Sequence, residues 1–454
     1  MTFSKVSAVS GQKSVKQYVV ASLFGSALEW YDFFLYATAA SLVLGKLFFP
    51  PDTDPLVATM GAFAGFAVGF AARPIGGIIF GHIGDKISRK TSLVLTLSIM
   101  GAATFIMGLL PTYAQIGIFA PILLLVLRVV QGIAAGGEWG GGVLLISENT
   151  GSSRRGLLSA FSQSGVSLGF VLSAGAFFLV QLLPEEEFLS WGWRLPFLLS
   201  VLIFGVGMYI RFRLPDNQDF KKGDAQATSH RLPFIEAIKT HPKEILVGMG
   251  LRVAENGGSY LFLSFSIVYG VHVGVDRGIL LAGVMLSMLF SFGMTLFFGH
   301  LSDKIGRRKV YAFGAVMLVV IAFPFFAMIG SNSNTLVILA YFIANGVCHA
   351  AMIGTQPAFF HELFDAKIRY SGMSIAHEVA AVFAGGLAPL IATALLIKFD
   401  SYVPVAIYAI GLACITLLAL ALSGKVGDMR PDRSEDSTAK SPVALDTLGT
   451  GTNK

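Results

Sequence analysis

The sequence predicts an all-α membrane protein with twelve transmembrane helices in two pseudo-symmetric six-helix bundles. Three observations carry this. The 454 residues are 54% hydrophobic and only 13% charged, against about 25% charged in soluble domains, so most of the surface must face lipid. Apolar runs of about 20 residues recur along the whole chain. Polar motifs repeat between its two halves at a nearly constant offset. The two cysteines, Cys348 and Cys414, each lie inside an apolar run and read as packing residues, not as a bridge or a metal pair.

The apolar runs are 18–45, 56–80, 91–110, 117–147, 157–183, 193–213, 245–272, 279–299, 310–330, 335–361, 370–397 and 401–424. They are too long and unbroken for the alternating strands of a closed barrel, which leaves a helical bundle. Residues 1–17 are polar and basic, and the run after them is longer than a signal-peptide core, so it reads as a retained first helix. Six helices fall in 18–213 and six in 245–424. The longest polar interruption, 214–244, is a linker, and 425–454, rich in Ser, Thr, Gly and Asp, is expected to be a disordered tail.

Lys and Arg in short loops set orientation. With the N-terminus inside, 26 of the 33 fall in the tails, the cytoplasmic loops and their flanks. Lys46, Arg194, Arg277 and Lys398 fall on the other side, and Arg73, Arg128 and Arg252 within or at the ends of helices. Both termini are therefore expected in the cytoplasm. The net charge of +6 becomes a topology signal, and nucleic acid is not an expected partner.

The repeat is specific. Gly81-His82-Ile83-Gly84-Asp85-Lys86-Ile87-Ser88-Arg89-Lys90 follows the second helix, and Gly299-His300-Leu301-Ser302-Asp303-Lys304-Ile305-Gly306-Arg307-Arg308 follows the eighth, at an offset of 218. Glu148 with Arg155 after the fourth helix is matched by Glu362 with Arg369 after the tenth, at 214. This is the parallel repeat of a duplicated six-helix unit, two halves that rock about a central site.

These loops, with Arg128-Val129-Val130-Gln131-Gly132 in the fourth helix, resemble the major facilitator superfamily over nearly the whole chain. Glu29-Trp30-Tyr31-Asp32-Phe33, Ala72-Arg73-Pro74 and Gly136-Gly137-Glu138-Trp139-Gly140-Gly141 resemble its metabolite:proton symporters, which carry shikimate, citrate, 2-oxoglutarate, aromatic acids, proline and betaine. The resemblance implies proton-coupled uptake of a small organic acid by a monomer in the bacterial inner membrane. Drug-exporting relatives carry GxxxGPxxGG in the fifth helix; here Gly165-Val166-Ser167-Leu168-Gly169-Phe170 has phenylalanine in place of that proline, which favours uptake. Proton-driven efflux of an anionic antibiotic or metabolite, and a membrane sensor without turnover, are the alternative readings.

Charges at bilayer depth cost about 2.5–3.5 kcal/mol each on insertion scales and normally face the interior. Glu29 and Asp32 lie three apart, on one face of the first helix, where two close carboxylates disfavour joint ionisation and can load a proton. The resemblance marks Asp32; fixed pairing with a basic neighbour is the competing reading. Arg128 cannot discharge itself and needs a carboxylate, from Glu29 or Asp32 when the site is empty and from substrate when it is filled. Arg73, beside Pro74 near the cytoplasmic end of its helix, can snorkel, and a structural role is expected of it. Arg252 and Glu255 can satisfy each other. Tyr260, Gln356, His349 and Asn345 are candidate substrate contacts, although polar residues in helices also bond neighbouring helices. His377 and Glu378, being adjacent, are expected to make separate contacts. Glu138, about 15 Å from Arg128 along the helix, reads as a gate or packing charge. Trp30, Tyr31, Phe33 and Tyr36 fit either a ring-containing acid or ordinary packing.

Asp85, Arg89, Asp303 and Arg307, with Glu148, Arg155, Glu362 and Arg369, are the gating candidates. Their ion pairs would stabilise the outward-open state and break as the halves rock. No GxxxxGK[ST], HExxH or CxxC occurs, and the Gly165-Val166-Ser167-Leu168-Gly169 string lies inside an apolar run and not at a strand-to-helix elbow, so no enzymatic activity, metal or cofactor is expected, and transport would run on an ion gradient.

Overall fold

The computed structural model describes the backbone of residues 22–86, 89–136, 155–212, 238–331, 333–365, 369–424 and 426. It is helical throughout: α1 (22–48), α2 (Pro55–Lys86), α3 (Arg89–Leu109), α4 (Phe119–Ala135), α5 (Arg155–Val180), α6 (192–212), α7 (242–272), α8 (Arg277–Ile305), α9 (Arg307–Ile329), α10 (Asn334–Leu363), α11 (369–399) and α12 (Val403–Leu422). Among the described residues eight helices are long and apolar enough to cross a membrane, namely α2, α5, α6 and α8 to α12. α3 and α4 are apolar but shorter. α7 carries Arg252, Glu255 and Asn256 in its middle, which lowers its hydropathy, and α1 is described only from residue 22.

Local signals start several helices. The Asp54 carboxylate accepts the Leu56 and Val57 amides at 2.9 and 3.2 Å before α2, and Asp276 accepts Ile279 at 3.2 Å before α8, satisfying donors that have no intrahelical partner. Large apolar side chains such as Ile75 and Ile78 on α2, Ile122 and Val126 on α4 and Leu289 and Phe290 on α8 are exposed, as lipid-facing residues must be. Pro74, Pro324 and Pro357 sit inside helices. Turns of π-helix interrupt α1 (Ala40–Leu44), α7 (Leu261–Phe265), α10 (Ala344–His349) and α11 (Ala381–Gly386). Such bulges often mark functional positions.

Among the described residues, the segments 22–212 and 238–424 meet where α5 packs on α8 and α10, where α2 packs on α11, and where α1 touches α7. α5 lies against α8, where a Cβ at Gly156 would sit 2.6 Å from the Gly299 carbonyl and one at Gly299 2.5 Å from Ala160 Cβ. α2 packs on α11. The π turns of α1 and α7 touch where Ser41 Oγ donates to the Ser264 carbonyl at 3.1 Å. Tyr260 at the end of the regular part of α7 packs its ring on Phe34, Phe66 and Phe70 of the other segment, with centroids 6.0, 5.1 and 5.6 Å away. Cys348 is buried and Cys414 exposed, and both are free thiols.

Candidate functional site

Between the two segments lies a cavity lined by Trp30, Phe34, Gln163 and Phe170 on one side and by Arg252, Glu255, Asn256, Ser259 and His349 on the other. Its free space is about 10 Å³, room for about one water molecule. One wall is aromatic and the other polar, because α7 presents its Arg-x-x-Glu-Asn turn and the π turn of α10 presents His349. Arg252 Nη1 donates to Glu255 Oε2 at 2.9 Å and to Gln356 Oε1 at 2.7 Å, and His349 Nε2 meets Glu255 Oε1 at 3.2 Å. Gln356 Nε2 completes the cluster by donating to the Tyr311 hydroxyl at 3.0 Å.

This cluster retains unspent hydrogen-bonding capacity. Arg252 Nε, Asn256 Oδ1 and His349 Nδ1 are buried with no hydrogen-bond partner among the described residues. Buried polar groups without partners are costly, and all three residues line the cavity, so a polar ligand there would satisfy them. Gln356 is committed to Arg252, Glu255 and Tyr311, which makes it a support for the wall. Asn345 donates to Ser287 Oγ at 2.9 Å and lies outside the lining, as does Tyr260. Of the four polar candidates, only His349 lines the cavity.

A second charged layer adjoins it. Glu29 and Asp32 are both buried on α1, 2% and 6% exposed. Glu29 is held by Arg73 at 3.0 Å, and Arg73 Nε also donates to Glu378 Oε2 at 2.7 Å. Arg73 therefore does not snorkel. It is fully buried, because α11 brings Glu378 from the other segment to meet it. His377 and Glu378 do not point apart either; Nδ1 of the histidine meets Oε1 of the glutamate at 3.0 Å. Neighbouring helical side chains can converge when one folds back, and here the Arg73 fork fixes the carboxylate.

Arg128 departs from expectation too. It is fully buried, yet among the described residues no carboxylate lies within ion-pair distance of it. Its Nη1 donates to Gln131, and its guanidinium lies 3.9 Å from the Tyr36 ring centroid, with Phe33 and Phe66 at 5.1 and 5.4 Å. The aromatic cage and the field of Asp32 replace the expected clamp. Gly132 explains the rest of this motif: a Cβ there would collide with the Gly69 carbonyl of α2. Of the α1 aromatics, Trp30 lines the cavity, whereas Tyr31 donates to the Pro196 carbonyl at 2.7 Å and Tyr36 to that of Ala62 at 3.0 Å.

At the Arg-rich end, Asp303 accepts the Gly156 and Leu157 amides at 2.9 and 3.0 Å and pairs with Arg307 at 3.1 Å. Arg307 also holds Glu362 at 2.6 Å, and Arg369 Nε donates to the carbonyls of His361 and Phe364, both at 3.1 Å. The link from Asp303 to the other segment is thus to a helix N-terminus, where an anion is favoured. Arg155 begins that helix, its Nε without a hydrogen-bond partner among the described residues. The side chains of Asp85 and Arg89, and residues Glu138 and Glu148, lie outside the described residues. At the opposite end Glu185 lies 3.3 Å from Lys46 and 3.7 Å from Arg277, in exposed pairs. Among the described residues no group of three His, Cys, Asp or Glu is placed to hold a metal ion.

A helical membrane protein with a closed central cavity and buried ion pairs bridging two chain segments is the architecture of a solute carrier. The Major Facilitator Superfamily model matches residues 22–375 and 278–449, and the chain belongs to that family. It is 37% identical over 409 residues to the shikimate transporter of Escherichia coli K12, covering 89% of this chain and 93% of that one. It is 36% identical over 412 residues to the inner membrane metabolite transport protein YhjE of the same organism, covering 89% and 93%. Among solved structures, the proton:xylose symporter XylE bound to 6-bromo-6-deoxy-D-glucose superposes with a TM-score of 0.68 at 15% identity over 94% of this chain and 99% of that one, a likeness of fold.

Proposed function

We propose that this protein takes up a small organic acid together with protons by alternating access, with shikimate or a related carboxylate as substrate. The reading takes the chain as twelve spans in two bundles, 18–213 and 245–424, joined by a cytoplasmic linker, with both termini in the cytoplasm. The observation that carries it is the cavity wall in which Arg252, already half-committed to Glu255, keeps Nε unspent beside His349 and Asn256. A substrate carboxylate on Arg252 competes with Glu255, and the aromatic wall of Trp30, Phe34 and Phe170 suits a ring. The likeness to the shikimate transporter supports the same substrate class.

Glu29 and Asp32 are the proton carriers in this reading, and the contacts of Asp303, Arg307 and Glu362 form the inner gate. One proton carried with a monoanion moves no net charge, so only the pH gradient drives accumulation. A second adds about 2.3 kcal/mol per 100 mV, roughly 50-fold. The test is shikimate accumulation in right-side-out vesicles. Collapse by a protonophore, and loss of accumulation in Asp32→Asn with exchange retained, are expected. Accumulation indifferent to the protonophore, or full activity in Asp32→Asn, would overturn the proposal.

A further inference from the structure

We propose that Arg73 is the positioning residue that ties the proton on Glu29 to the contact between α2 and α11. This rests on the reading of Glu29 as a proton carrier.

Arg73 Nε is committed to Glu378 Oε2 at 2.7 Å, but Nη2 is shared between Glu29 Oε1 at 3.0 Å and Glu378 Oε1 at 3.5 Å. The two carboxylates belong to different parts of the chain: Glu29 to α1, in the same segment as Arg73, and Glu378 to α11 in the other. A guanidinium stays charged at any relevant pH, so its allegiance depends on the charge of its partners. When Glu29 is ionised, it draws Nη2 toward α1 and weakens the grip on Glu378. When Glu29 takes a proton, that pull disappears and Arg73 closes on Glu378, tightening α2 against α11.

Two further observations favour a moving part over a fixed clamp. Arg73 Nη1 is buried with no hydrogen-bond partner among the described residues, so the guanidinium can turn between partners without surrendering a bond on that side. Its carbon also lies 5.9, 5.0 and 5.5 Å from the ring centroids of Trp30, Phe33 and Phe70, a surface on which it can slide while its charge stays supported. Trp30 lines the cavity, which places substrate one side chain away. His377 backs Glu378 at 3.0 Å. The other charged or titratable groups facing this cluster are Asp32 on α1, Arg128 on α4, and Arg252, Glu255 and Tyr260 on α7.

The experiment is a distance measurement between spin labels at Ile79→Cys on α2 and Ser374→Cys on α11, in a Cys414→Ser background, by double electron–electron resonance. The reconstituted protein is titrated from about pH 5 to about pH 9 without substrate. The short-distance population is expected to fall as pH rises, its ratio to the long-distance population changing by up to about tenfold per pH unit for one linked proton. Glu29→Gln should hold the short distance at every pH. Arg73→Gln should remove the pH dependence, and Arg73→Lys, which retains the charge without the fork, should restore part of it.

A parent protein whose distances ignore pH, or an Arg73→Gln protein that titrates like the parent, overturns the proposal. If Arg73→Gln does not fold, Glu29→Gln decides, since an undiminished titration there is equally fatal. The transport reading fails separately: no proton-driven shikimate accumulation by the parent defeats it whatever the distances do, and normal accumulation with pH-invariant distances defeats only the role of Arg73.

Discussion

Asp303 closes the N-terminus of α5 from the other side of the molecule, its two carboxylate oxygens accepting the amides of Gly156 and Leu157 at 2.9 and 3.0 Å. A charged acceptor at a helix N-terminus stabilises by about 0.3–1 kcal/mol when exposed and up to about 2 kcal/mol when partly buried. Asp303→Asn keeps an acceptor but loses that charge and the pair with Arg307. The closed state at this end should weaken by about 1–2 kcal/mol, a roughly 5- to 30-fold change in the population ratio. Labelling of a Ser159→Cys reporter by a water-soluble maleimide should accelerate accordingly, and an unchanged rate would remove Asp303 from the gate.

The glycines beside it set how near α5 and α8 approach. Gly299→Ala would press a methyl against Ala160 Cβ at 2.5 Å and the Gly156 carbonyl at 2.9 Å. An overpacking cost of about 1–3 kcal/mol is expected, visible as a lower melting temperature in detergent. Gly293→Ala on the same helix meets nothing within 4 Å and should melt like the parent or slightly higher.

Tyr260 separates a packing role from a binding one. Its hydroxyl has no hydrogen-bond partner among the described residues, while its ring touches Phe34, Phe66 and Phe70. Tyr260→Phe should therefore be neutral or stabilising by up to about 1 kcal/mol, and Tyr260→Ala should cost about 3–5 kcal/mol. A large loss of shikimate affinity in Tyr260→Phe, measured by thermal shift, would return the hydroxyl to the binding site.

Arg252 is expected to carry most of the affinity for the substrate carboxylate. Arg252→Gln removes a charge-assisted hydrogen bond worth about 1.5–3 kcal/mol, so shikimate binding should weaken by about 10- to 150-fold. Unaltered binding to Arg252→Gln by equilibrium dialysis would place the substrate elsewhere.

The pH dependence of uptake follows from the charge that must be loaded. The working form carries the proton, so uptake should be greatest at low external pH and fall as pH rises through the titration of the carrier, by up to tenfold per unit for one proton. A free carboxylate substrate has a pKa near 4 and stays ionised throughout, so the decline belongs to the protein. Exchange by Asp32→Asn should show a flat profile, and a parent-like slope there would exonerate Asp32.

Part of the site is legible in the sequence alone. Glu29, Asp32, Arg128 and the Arg252–Glu255 pair stood out because a charge inside a 20-residue apolar run has no reason to be there unless it faces inward. Asp303 and Arg307 stood out because they recur at one offset. Partner choice was not legible in the same way. From the sequence Arg73 reads as a structural residue able to snorkel, because it sits beside Pro74 near the end of its apolar run; its partner Glu378 lies 305 positions away. His377 and Glu378 looked divergent on an ideal helix, yet converge once Arg73 holds the carboxylate. Gln356 looked like a ligand and is consumed by Arg252, Glu255 and Tyr311.

What the sequence by itself determined is the environment and the inventory: a chain too poor in charge to live in water, a repeated pair of charged loops, and a short roll of buried ionisable side chains. These are local or periodic properties, written into hydropathy and spacing. Only the tertiary structure decided that Arg73 rather than Arg128 holds Glu29, that aromatic rings surround Arg128, and that Asp303 binds a helix terminus. The reason is physical: a buried charge is stabilised by whichever group the packing of other helices brings within about 3 Å, and helix spacing along the chain carries no information about that.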